Sequence, residues 1–246
     1  MSDSLVIIPT YNEKENVEKI IRSVFALKES FDILIVDDGS PDGTAIIVEQ
    51  LQHEYKGLFI EKRQGKLGLG TAYIHGFKWA LKNEYQFIFE MDADFSHDPK
   101  DLIHLHAACS QKKYDLAIGS RYSNGVNIVN WPMSRLLMSY FASKYVKLVT
   151  GLPVNDSTAG FICYRRSVLE TIDLDHIQFV GYAFQIEMKF KSWKSGFEII
   201  EVPVIFTDRK EGYSKMDTSI FFEAFIGVLQ LKLKSLFTTP KQKPNV

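Results

Sequence analysis

Short apolar runs alternate with segments of helical periodicity through the first part of the chain. Residues 5–9 and 31–36 are mostly apolar, as is typical of strands covered on both faces of a parallel sheet. Each run is followed by apolar residues at helical spacing, such as Val17, Ile20 and Ile21 after the first, which predict amphipathic helices. The alternation predicts an α/β fold built on a doubly wound, mostly parallel sheet.

Two carboxylates follow the mostly apolar run at residues 87–91. Asp92 and Asp94 stand two residues apart before the helix signal near Pro99, so both can turn an oxygen toward one hard cation at the strand tip. Magnesium and manganese accept one or two protein carboxylates while substrate phosphates fill other positions. The pattern favours a Mg²⁺ or Mn²⁺ site, although Asp94 and Ser96 are also ordinary turn formers.

Polar and aromatic residues follow the first two predicted strands. In open sheets of this kind, ligands bind at the carboxyl ends of the strands. Tyr11 can stack on a base there, and Glu13 or Asp38 can accept hydrogen bonds from the ring N–H and amino groups of the base. Alternatively, such residues only cap helices, and Asn12 and Glu15 have the spacing of a capping box.

Two further segments carry candidate phosphate ligands. Gly65-Lys-Leu-Gly-Leu-Gly70 precedes a predicted helix, where it either presents backbone N–H groups and a lysine to a phosphate or forms only a turn. Arg121 lies at the tip of the strand predicted at residues 115–122. Arg135 and Ser139 stand one turn apart on a predicted helix. An arginine and a hydroxyl placed in this way could hold a phosphate.

The loop at residues 208–215 contains three cations. A charged loop of this kind is ordinarily a solvated surface segment. Beside a phosphate-rich ligand it would instead be a lid that supplies Arg209 and Lys215 to neutralise charge. Both interpretations remain open from the sequence.

The last predicted helix, Thr218–Phe237, has a broad apolar surface. Its narrow polar stripe consists of Glu223, Gly227, Gln230 and Lys234. Such a helix can pack on the core, lie in a membrane interface or dock on an integral membrane partner. We expect a catalytic domain over residues 1–217, this amphipathic helix at 218–237 and a disordered tail at 238–246.

Charge and cysteine content exclude several classes of function. With 29 basic and 30 acidic residues the net charge is -1, which offers no general attraction to nucleic acid. Cys109 and Cys163 lack ligand spacing and indicate neither a zinc site nor a disulfide framework. Without a signal peptide or a run of about 18 apolar residues, we expect a cytoplasmic protein that does not cross a bilayer by itself.

Six segments together resemble the polyprenol-phosphate (dolichol-phosphate) mannosyltransferases of the inverting glycosyltransferase family 2. They cover nearly the whole chain and are Pro9-Thr-Tyr-Asn-Glu13, Asp37-Asp-Gly-Ser-Pro-Asp-Gly43, Gly65-Lys-Leu-Gly-Leu-Gly-Thr-Ala-Tyr73, Met91-Asp-Ala-Asp-Phe-Ser-His-Asp-Pro99, Gly119-Ser-Arg-Tyr122 and Asp208-Arg-Lys-Glu-Gly-Tyr-Ser-Lys215. Each motif is weak alone, and six in this order are specific. The resemblance implies a glycosyltransferase-A fold and transfer of mannose from GDP-mannose to a polyprenyl (dolichyl) phosphate.

The resemblance also implies roles for individual residues. Those implied to hold the guanosine are Pro9, Tyr11, Glu13, Val36 and Asp38. Those implied to hold the metal and the donor are Asp92, Ala93, Asp94 and Ser96, where Ser96 stands in the place of a Gln in many relatives. Those implied to grip the acceptor phosphate are Arg121, Arg135 and Ser139, and those implied to close over the donor are Arg209 and Lys215.

The same resemblance implies peripheral attachment at the cytoplasmic face of a membrane. Some relatives append transmembrane helices at the C-terminus, and this chain shows none. We therefore expect attachment through its amphipathic helices or through a separate integral membrane subunit.

A phosphate acceptor changes which groups the reaction needs. A phosphate monoester is already an anion near neutral pH, so it can attack the anomeric carbon without a general base. Back-side attack gives a β-linked product from an α-linked donor. The protein must then align donor and acceptor and neutralise the charge that grows on the leaving group. UDP-glucose as donor and a hydroxyl acceptor stay open as alternatives. For a hydroxyl acceptor, Asp156 is the best candidate base.

Overall fold

Strands and helices alternate along most of the chain. The computed structural model describes residues 2–208, 218–237 and 240–244. Its strands are β1 Ser4–Thr10, β2 Asp32–Asp37, β3 Leu58–Lys62, β4 Phe87–Glu90, β5 Leu116–Ser120, β6 Ile128–Val129, β7 Ile162–Arg165, β8 Ile199–Pro203 and β9 Phe206–Thr207. Its helices are α1 Val17–Phe25, α2 Thr44–Leu51, α3 Leu69–Lys82, α4 Asp101–Ser110, α5 Met133–Thr150, α6 Arg166–Thr171, α7 Tyr182–Lys194 and α8 Thr218–Phe237, with a 3₁₀ turn at Leu174–His176.

Seven strands form one sheet in the order β3-β2-β1-β4-β7-β5-β8. Only β7 runs antiparallel to its neighbours within this sheet, and the other described pairs are parallel. The order reverses between β1 and β4, because β2 and β3 continue to one side of β1 and β4 lies on the other. This confirms the predicted doubly wound, mostly parallel sheet and places a ligand crevice at the carboxyl ends of β1 and β4.

The reversed strand β7 brings an additional loop to that same edge. Ile162, the first residue of β7, pairs with Glu90 at the end of β4 and with Ile118 in β5. An antiparallel strand begins where its parallel neighbours end. The loop at residues 155–161 therefore faces the segments that follow β4 and β5.

Alternate residues of the strands enter two hydrophobic layers. In β1, Leu5 and Ile7 belong to one layer and Val6 and Ile8 to the other, and all four are fully buried. Helices α3, α5, α6, α7 and α8 contribute to the first layer, while α1, α2 and α4 contribute to the second. Because both faces are covered, the strands read as continuous apolar runs in the sequence.

The predicted capping box at Asn12 and Glu15 is wrong. Asn12 has a positive φ of 58°, and α1 begins only at Val17. The backbone carbonyl of Glu13 accepts hydrogen bonds from the N–H groups of Asn16 and Val17 at 3.0 and 2.8 Å. A turn therefore separates β1 from α1 and leaves residues 11–13 beside the end of the strand.

The mostly apolar segment at residues 199–207 forms two short strands rather than one. β8 ends at Pro203, which has no N–H to donate to a ladder. The chain then forms β9, in which Phe206 pairs with Ile128 of β6 in a separate parallel sheet of two strands. This small sheet lies at the carboxyl edge of the large one, because the parallel strands β5 and β8 both end there.

Helix α8 packs against α5 and α7. Val228 and Leu231 are buried in the first hydrophobic layer, whereas Leu233 is more than half exposed. Gly227 does not belong to a polar stripe as predicted: a Cβ there would stand 2.6 Å from the ring of Phe179. The glycine thus lets α8 approach the core closely.

Of the predicted tail, the structure describes residues 240–244. Lys243 donates a hydrogen bond from its backbone to the carbonyl of Ser195 at 2.8 Å, and its ammonium group contacts Asp115 at 2.7 Å. Disorder of residues 238–246 stays a prediction. Among the described residues, none of the helices combines the length and the apolar character that a membrane span requires.

Candidate active site at the carboxyl edge of the sheet

A cavity of about 470 Å³ lies beside the ends of β4 and β5. Six of the residues predicted from sequence line it, namely Asp92, Asp94, Ser96, Arg121, Arg135 and Ser139. The structure therefore brings the predicted metal ligands and the predicted acceptor-phosphate ligands to one place, although they are spread over residues 92–139.

The remainder of the cavity wall is mostly apolar. Met138, Phe141 and Val146 contribute from α5, and Phe225 and Val228 contribute from α8. The cavity thus joins a charged end at the sheet to an apolar end between two helices. A ligand that fills it needs a polar group at one end and a hydrocarbon portion at the other.

The two predicted metal carboxylates follow β4 directly. Asp92 accepts a hydrogen bond from the hydroxyl of Tyr73 at 3.3 Å, and Asp94 accepts one from the backbone N–H of Ser96 at 3.0 Å. The intervening Ala93 is buried in the second hydrophobic layer. Burial of Ala93 fixes the backbone between the acids, so both carboxylates reach the cavity.

The donor atoms at this place fit a hard divalent cation. Two carboxylates and the Ser96 hydroxyl offer only oxygen, and Mg²⁺ sites commonly use one or two carboxylates together with substrate phosphates. Within the described ranges, three or more acidic, His or Cys side chains do not converge on one metal position. His97 is buried against Phe161, and burial together with the charge of Arg121 lowers the pKa of His97 to about 4.

Arg121 is anchored by a buried carboxylate. Its Nε and Nη2 atoms donate to the two oxygens of Asp156 at 2.7 and 2.6 Å, and Nη2 also donates to the Thr158 hydroxyl at 2.8 Å. Burial alone would raise the pKa of Asp156, but the charge and hydrogen bonds of Arg121 lower it below its ordinary value. Both oxygens of Asp156 hold Arg121, which disfavours the alternative of Asp156 as a general base.

Arg135 and Ser139 reach the same cavity from α5. The Nη1 atom of Arg135 donates to Asp208 at 2.8 Å. Asp208 is held in turn by the small sheet, since its backbone N–H donates to the carbonyl of Val129 at 3.1 Å. The predicted lid residues Arg209 and Lys215 follow Asp208 but lie outside the described residues, so their roles stay predictions.

The small sheet also touches the loop of the carboxylates. The N–H of Thr207 in β9 donates to the carbonyl of Ser96 at 3.0 Å, and the N–H of Phe206 donates to the carbonyl of Asn127 at 2.9 Å. These bonds tie the segment that carries Asp208 to the loop that carries Asp94. Sequence patterns did not reveal this sheet because each of its strands has two residues.

The residues predicted to bind guanosine lie outside the cavity, at the ends of β1 and β2. Pro9 and Val36 are neighbours in the sheet register, and the side chain of Val36 is fully buried in the core. Any contact of Val36 with a base must therefore use its backbone. Tyr11 lies under the ammonium group of Lys66, 5.5 Å from the ring centroid, and Glu13 accepts a hydrogen bond from Asn16 at 3.0 Å.

Arg63 contacts Asp38, a candidate nucleotide ligand, and was not identified from the sequence. It follows β3, and its Nε donates to Asp38 at 2.7 Å while its Nη1 donates to the Thr71 hydroxyl at 2.9 Å. Asp38 is therefore held by a buried guanidinium group, besides the role predicted for it toward a base. Its position just past the end of a parallel strand is a signal that could have identified Arg63.

A buried polar network lies behind the carboxylates. Glu90, the last residue of β4, accepts hydrogen bonds from Tyr164 and Gln185, and burial raises the pKa of Glu90 to about 7. Lys189 donates to the carbonyls of Ser157 and Ala159 at 3.1 and 2.6 Å, and burial lowers its pKa to about 8. Lys189 thereby fixes the loop that anchors Arg121.

Similarity to known proteins covers most of the chain. The model of glycosyl transferase family 2 matches residues 5–173. The chain is 44% identical over 228 residues to the polyprenol monophosphomannose synthase of Mycolicibacterium smegmatis, covering 92% of this chain and 86% of that protein. It is 42% identical over 224 residues to the undecaprenyl-phosphate mannosyltransferase of Micrococcus luteus, covering 91% of each.

Solved structures share the fold at low sequence identity. Glucosyl-3-phosphoglycerate synthase of Mycobacterium tuberculosis, solved with Mn²⁺, UDP and glucosyl-3-phosphoglycerate, matches with a TM-score of 0.63 and 16% identity over 94% of this chain and 78% of that one. A mannosyltransferase of Pyrobaculum calidifontis, solved with GDP-Man and Mn²⁺, matches with a TM-score of 0.58 and 16% identity over 93% and 69%. These matches confirm the predicted glycosyltransferase-A fold.

Proposed function

The chain belongs to glycosyltransferase family 2 and is therefore a sugar-transferring enzyme, and from this premise we propose that it moves mannose from GDP-mannose to a polyprenyl (dolichyl) monophosphate. Two relatives that are more than 40% identical are named polyprenol monophosphomannose synthase and undecaprenyl-phosphate mannosyltransferase. The product would be a polyprenyl β-mannosyl phosphate.

One observation carries the choice of acceptor: the cavity is charged at one end and apolar at the other. Arg121, Arg135 and Ser139 lie at the charged end, where they would hold the phosphate monoester. Phe141 and Phe225 belong to the apolar part of the wall, where the first isoprene units would lie. A water-soluble glycan would leave this apolar part of the wall without a matching partner.

In the proposed reaction, an oxygen of the acceptor phosphate attacks the anomeric carbon from the face opposite the leaving GDP. The C–O bond to GDP breaks as the new C–O bond forms, so the configuration inverts. Arg121 and Arg135 would orient the attacking phosphate, and the fixed carboxylate partners Asp156 and Asp208 would keep both guanidinium groups in place. The attacking oxygen is already ionised, so the chain need not supply a base.

The reaction is proposed to be dependent on Mg²⁺ or Mn²⁺. Asp92, Asp94 and Ser96 would hold the ion, because they present oxygen donors to the cavity. When bound, the ion would neutralise charge that develops on the diphosphate leaving group. Ala93 would contact the donor through its backbone, since its side chain is buried.

The nucleotide would lie over the ends of β1 and β2. Tyr11 offers a ring for stacking, and Pro9, Glu13, Val36 and Asp38 surround the same strand ends. We propose that Lys215 and Arg209 close over the diphosphate once it is bound. The base and ribose would then lie outside the cavity, and the diphosphate would reach the carboxylates that line it, so that donor and acceptor meet there.

The exposed apolar residues of α5 and α8 support attachment to a membrane surface. Phe141 and Leu148 of α5 are 63% and 85% exposed, and Leu233 and Phe237 of α8 are 58% and 87% exposed. These helices also form the apolar end of the cavity, so a lipid could pass from the bilayer into it. We propose peripheral binding at the cytoplasmic face, directly or through an integral membrane partner subunit.

A partition assay tests this function. Purified enzyme with Mn²⁺ is mixed with undecaprenyl phosphate and radiolabelled GDP-mannose or, in parallel, UDP-glucose, and the label is measured in the organic phase. We expect label from GDP-mannose to enter the lipid fraction and to be released by mild acid. If label enters the lipid only from UDP-glucose, GDP-mannose is refuted as the donor. If label is found only in water-soluble glycans, the lipid acceptor is refuted.

A further inference from the structure

Two guanidinium groups of the cavity lie over the ring of Trp131. The Cζ atom of Arg135 is 4.1 Å from the ring centroid, and that of Arg121 is 5.5 Å from it. Trp131 itself lines the cavity. A single indole therefore contacts both of the arginines to which the proposed function assigns the acceptor phosphate.

Two cations held this close repel each other, and each would turn away unless its position were fixed. Carboxylates supply part of the restraint, through Asp156 on Arg121 and Asp208 on Arg135. A carboxylate fixes one edge of a guanidinium group and leaves its planar face without restraint. The negative face of an aromatic ring attracts both cations to the same place, and tryptophan does so most strongly.

The indole is well placed to perform this task. Trp131 connects β6 to α5, so its backbone is fixed on both sides. Phe206 of β9 packs edge-on against it, with ring centroids 5.1 Å apart. Within the part of the chain that the structure describes, the buried indole N–H has no hydrogen-bond partner. Contacts of the ring, rather than a bond from its nitrogen, set its orientation.

We propose that Trp131 is a positioning residue that sets the spacing of Arg121 and Arg135, and thereby the geometry in which the acceptor phosphate is gripped. This inference rests on the proposed function, because it concerns the phosphate of the same acceptor. It predicts that changes at Trp131 act on the acceptor KM far more than on the donor KM.

Three changes at this position separate the role of the ring from its bulk. Trp131→Leu removes the aromatic face and should raise the acceptor KM about tenfold, whereas Trp131→Phe keeps a weaker face and should raise it about threefold. Difluorotryptophan at position 131 keeps the shape and weakens only the face. It should raise the acceptor KM with no change in the melting temperature.

Trp79→Leu is the matched control, because Trp79 packs on Phe59 and Tyr85 near the end of α3 and does not line the cavity. It should lower stability and leave the acceptor KM unchanged. If difluorotryptophan and Trp131→Phe both leave the acceptor KM at the wild-type value, the positioning role is refuted. A wild-type enzyme that forms no lipid-linked product would instead refute the proposed function.

The ¹⁵N signals of the arginine Nε atoms report the stacking directly, and they should shift when Trp131 is fluorinated.

Discussion

Asp156 holds Arg121 through two hydrogen bonds, one from Nε and one from Nη2. The rings of Tyr122, Trp131 and Phe206 lie around the same guanidinium group, with centroids 5.3 to 5.6 Å from its Cζ atom. The carboxylate is fully buried and the arginine nearly so. Because a buried charge without its partner is costly, this pair links the stability of the fold to the arrangement of the site.

Replacing Asp156 by Asn should reduce stability and acceptor binding together. The substitution leaves the charge of Arg121 buried and uncompensated, so we expect the free energy of unfolding to fall by about 3 kcal/mol. Urea denaturation measures this loss. Asp175→Asn is the control, because the pair of Asp175 with Lys78 is exposed and such pairs contribute about 1 kcal/mol at most. Unchanged stability with abolished turnover would instead identify Asp156 as a catalytic base.

Replacing Asp92 by Asn should reduce transfer at least about a hundredfold, since loss of a direct metal ligand costs no less than loss of the groups that support one. The Mn²⁺ concentration that gives half of the maximal rate should rise. Asp98→Asn is the control in the same loop, because Asp98 is exposed and its carboxylate accepts a hydrogen bond from the backbone N–H of Lys100 at 3.0 Å. Equal losses in both variants would mean that Asp92 serves only the turn.

Replacing Arg135 by Lys should raise the acceptor KM about tenfold and change the donor KM little. The ammonium group keeps the charge but cannot hold Asp208 and a phosphate with the same planar fork. Steady-state kinetics with varied polyprenyl phosphate measures the effect. Arg22→Lys, at an exposed arginine paired with Glu18 and Glu54, should leave both constants unchanged. A donor KM that rises as much as the acceptor KM would place Arg135 on the nucleotide side.

Lys189 should make stability rise with pH in the alkaline range. Burial lowers its pKa from 10.5 to about 8 in the folded chain, so between these values the unfolded chain binds more protons and deprotonation favours folding. Relative to Lys189→Met, the free energy of unfolding of the wild type should increase by about 3 kcal/mol from pH 8 to 10.5. Urea titrations of both proteins at several pH values test this. If the free energies of unfolding of the two proteins change equally with pH, the lowered pKa of Lys189 is contradicted.

Replacing Gly227 by Ala should loosen α8. The added Cβ would stand 2.6 Å from the ring of Phe179, and such overpacking costs about 1–3 kcal/mol. The better helix propensity of alanine offsets about 1 kcal/mol, so we expect a net loss of about 1 kcal/mol. Gln230→Ala, on the exposed face of the same helix, should not destabilise. A stabilised Gly227→Ala variant would mean that α8 does not press on the core.

Much of the site could be predicted because its residues directly follow strands. Asp92, Asp94 and Arg121 each come just after a buried apolar run, and the ends of parallel strands meet at one edge. Arg135 and Ser139 were identifiable because a helix places residues four apart on one face.

Other parts could not be predicted because they depend on contacts distant in sequence. The pairing of Arg121 with Asp156 requires the reversed direction of β7, which no local pattern specifies. Trp131 and Phe206 meet through β6 and β9, whose strands are too short to show a period. Gly227 was assigned to the polar stripe because the sequence cannot distinguish a glycine at a close helix contact from a glycine on the surface.

The direction of β7 determines which edge of the sheet the preceding loop reaches. Because β7 is antiparallel to β4 and β5, it begins at the carboxyl edge, and the loop before it delivers Asp156 to Arg121 there. Under the proposed function, one edge of a single sheet would thereby bring a water-soluble nucleotide sugar and a lipid phosphate face to face.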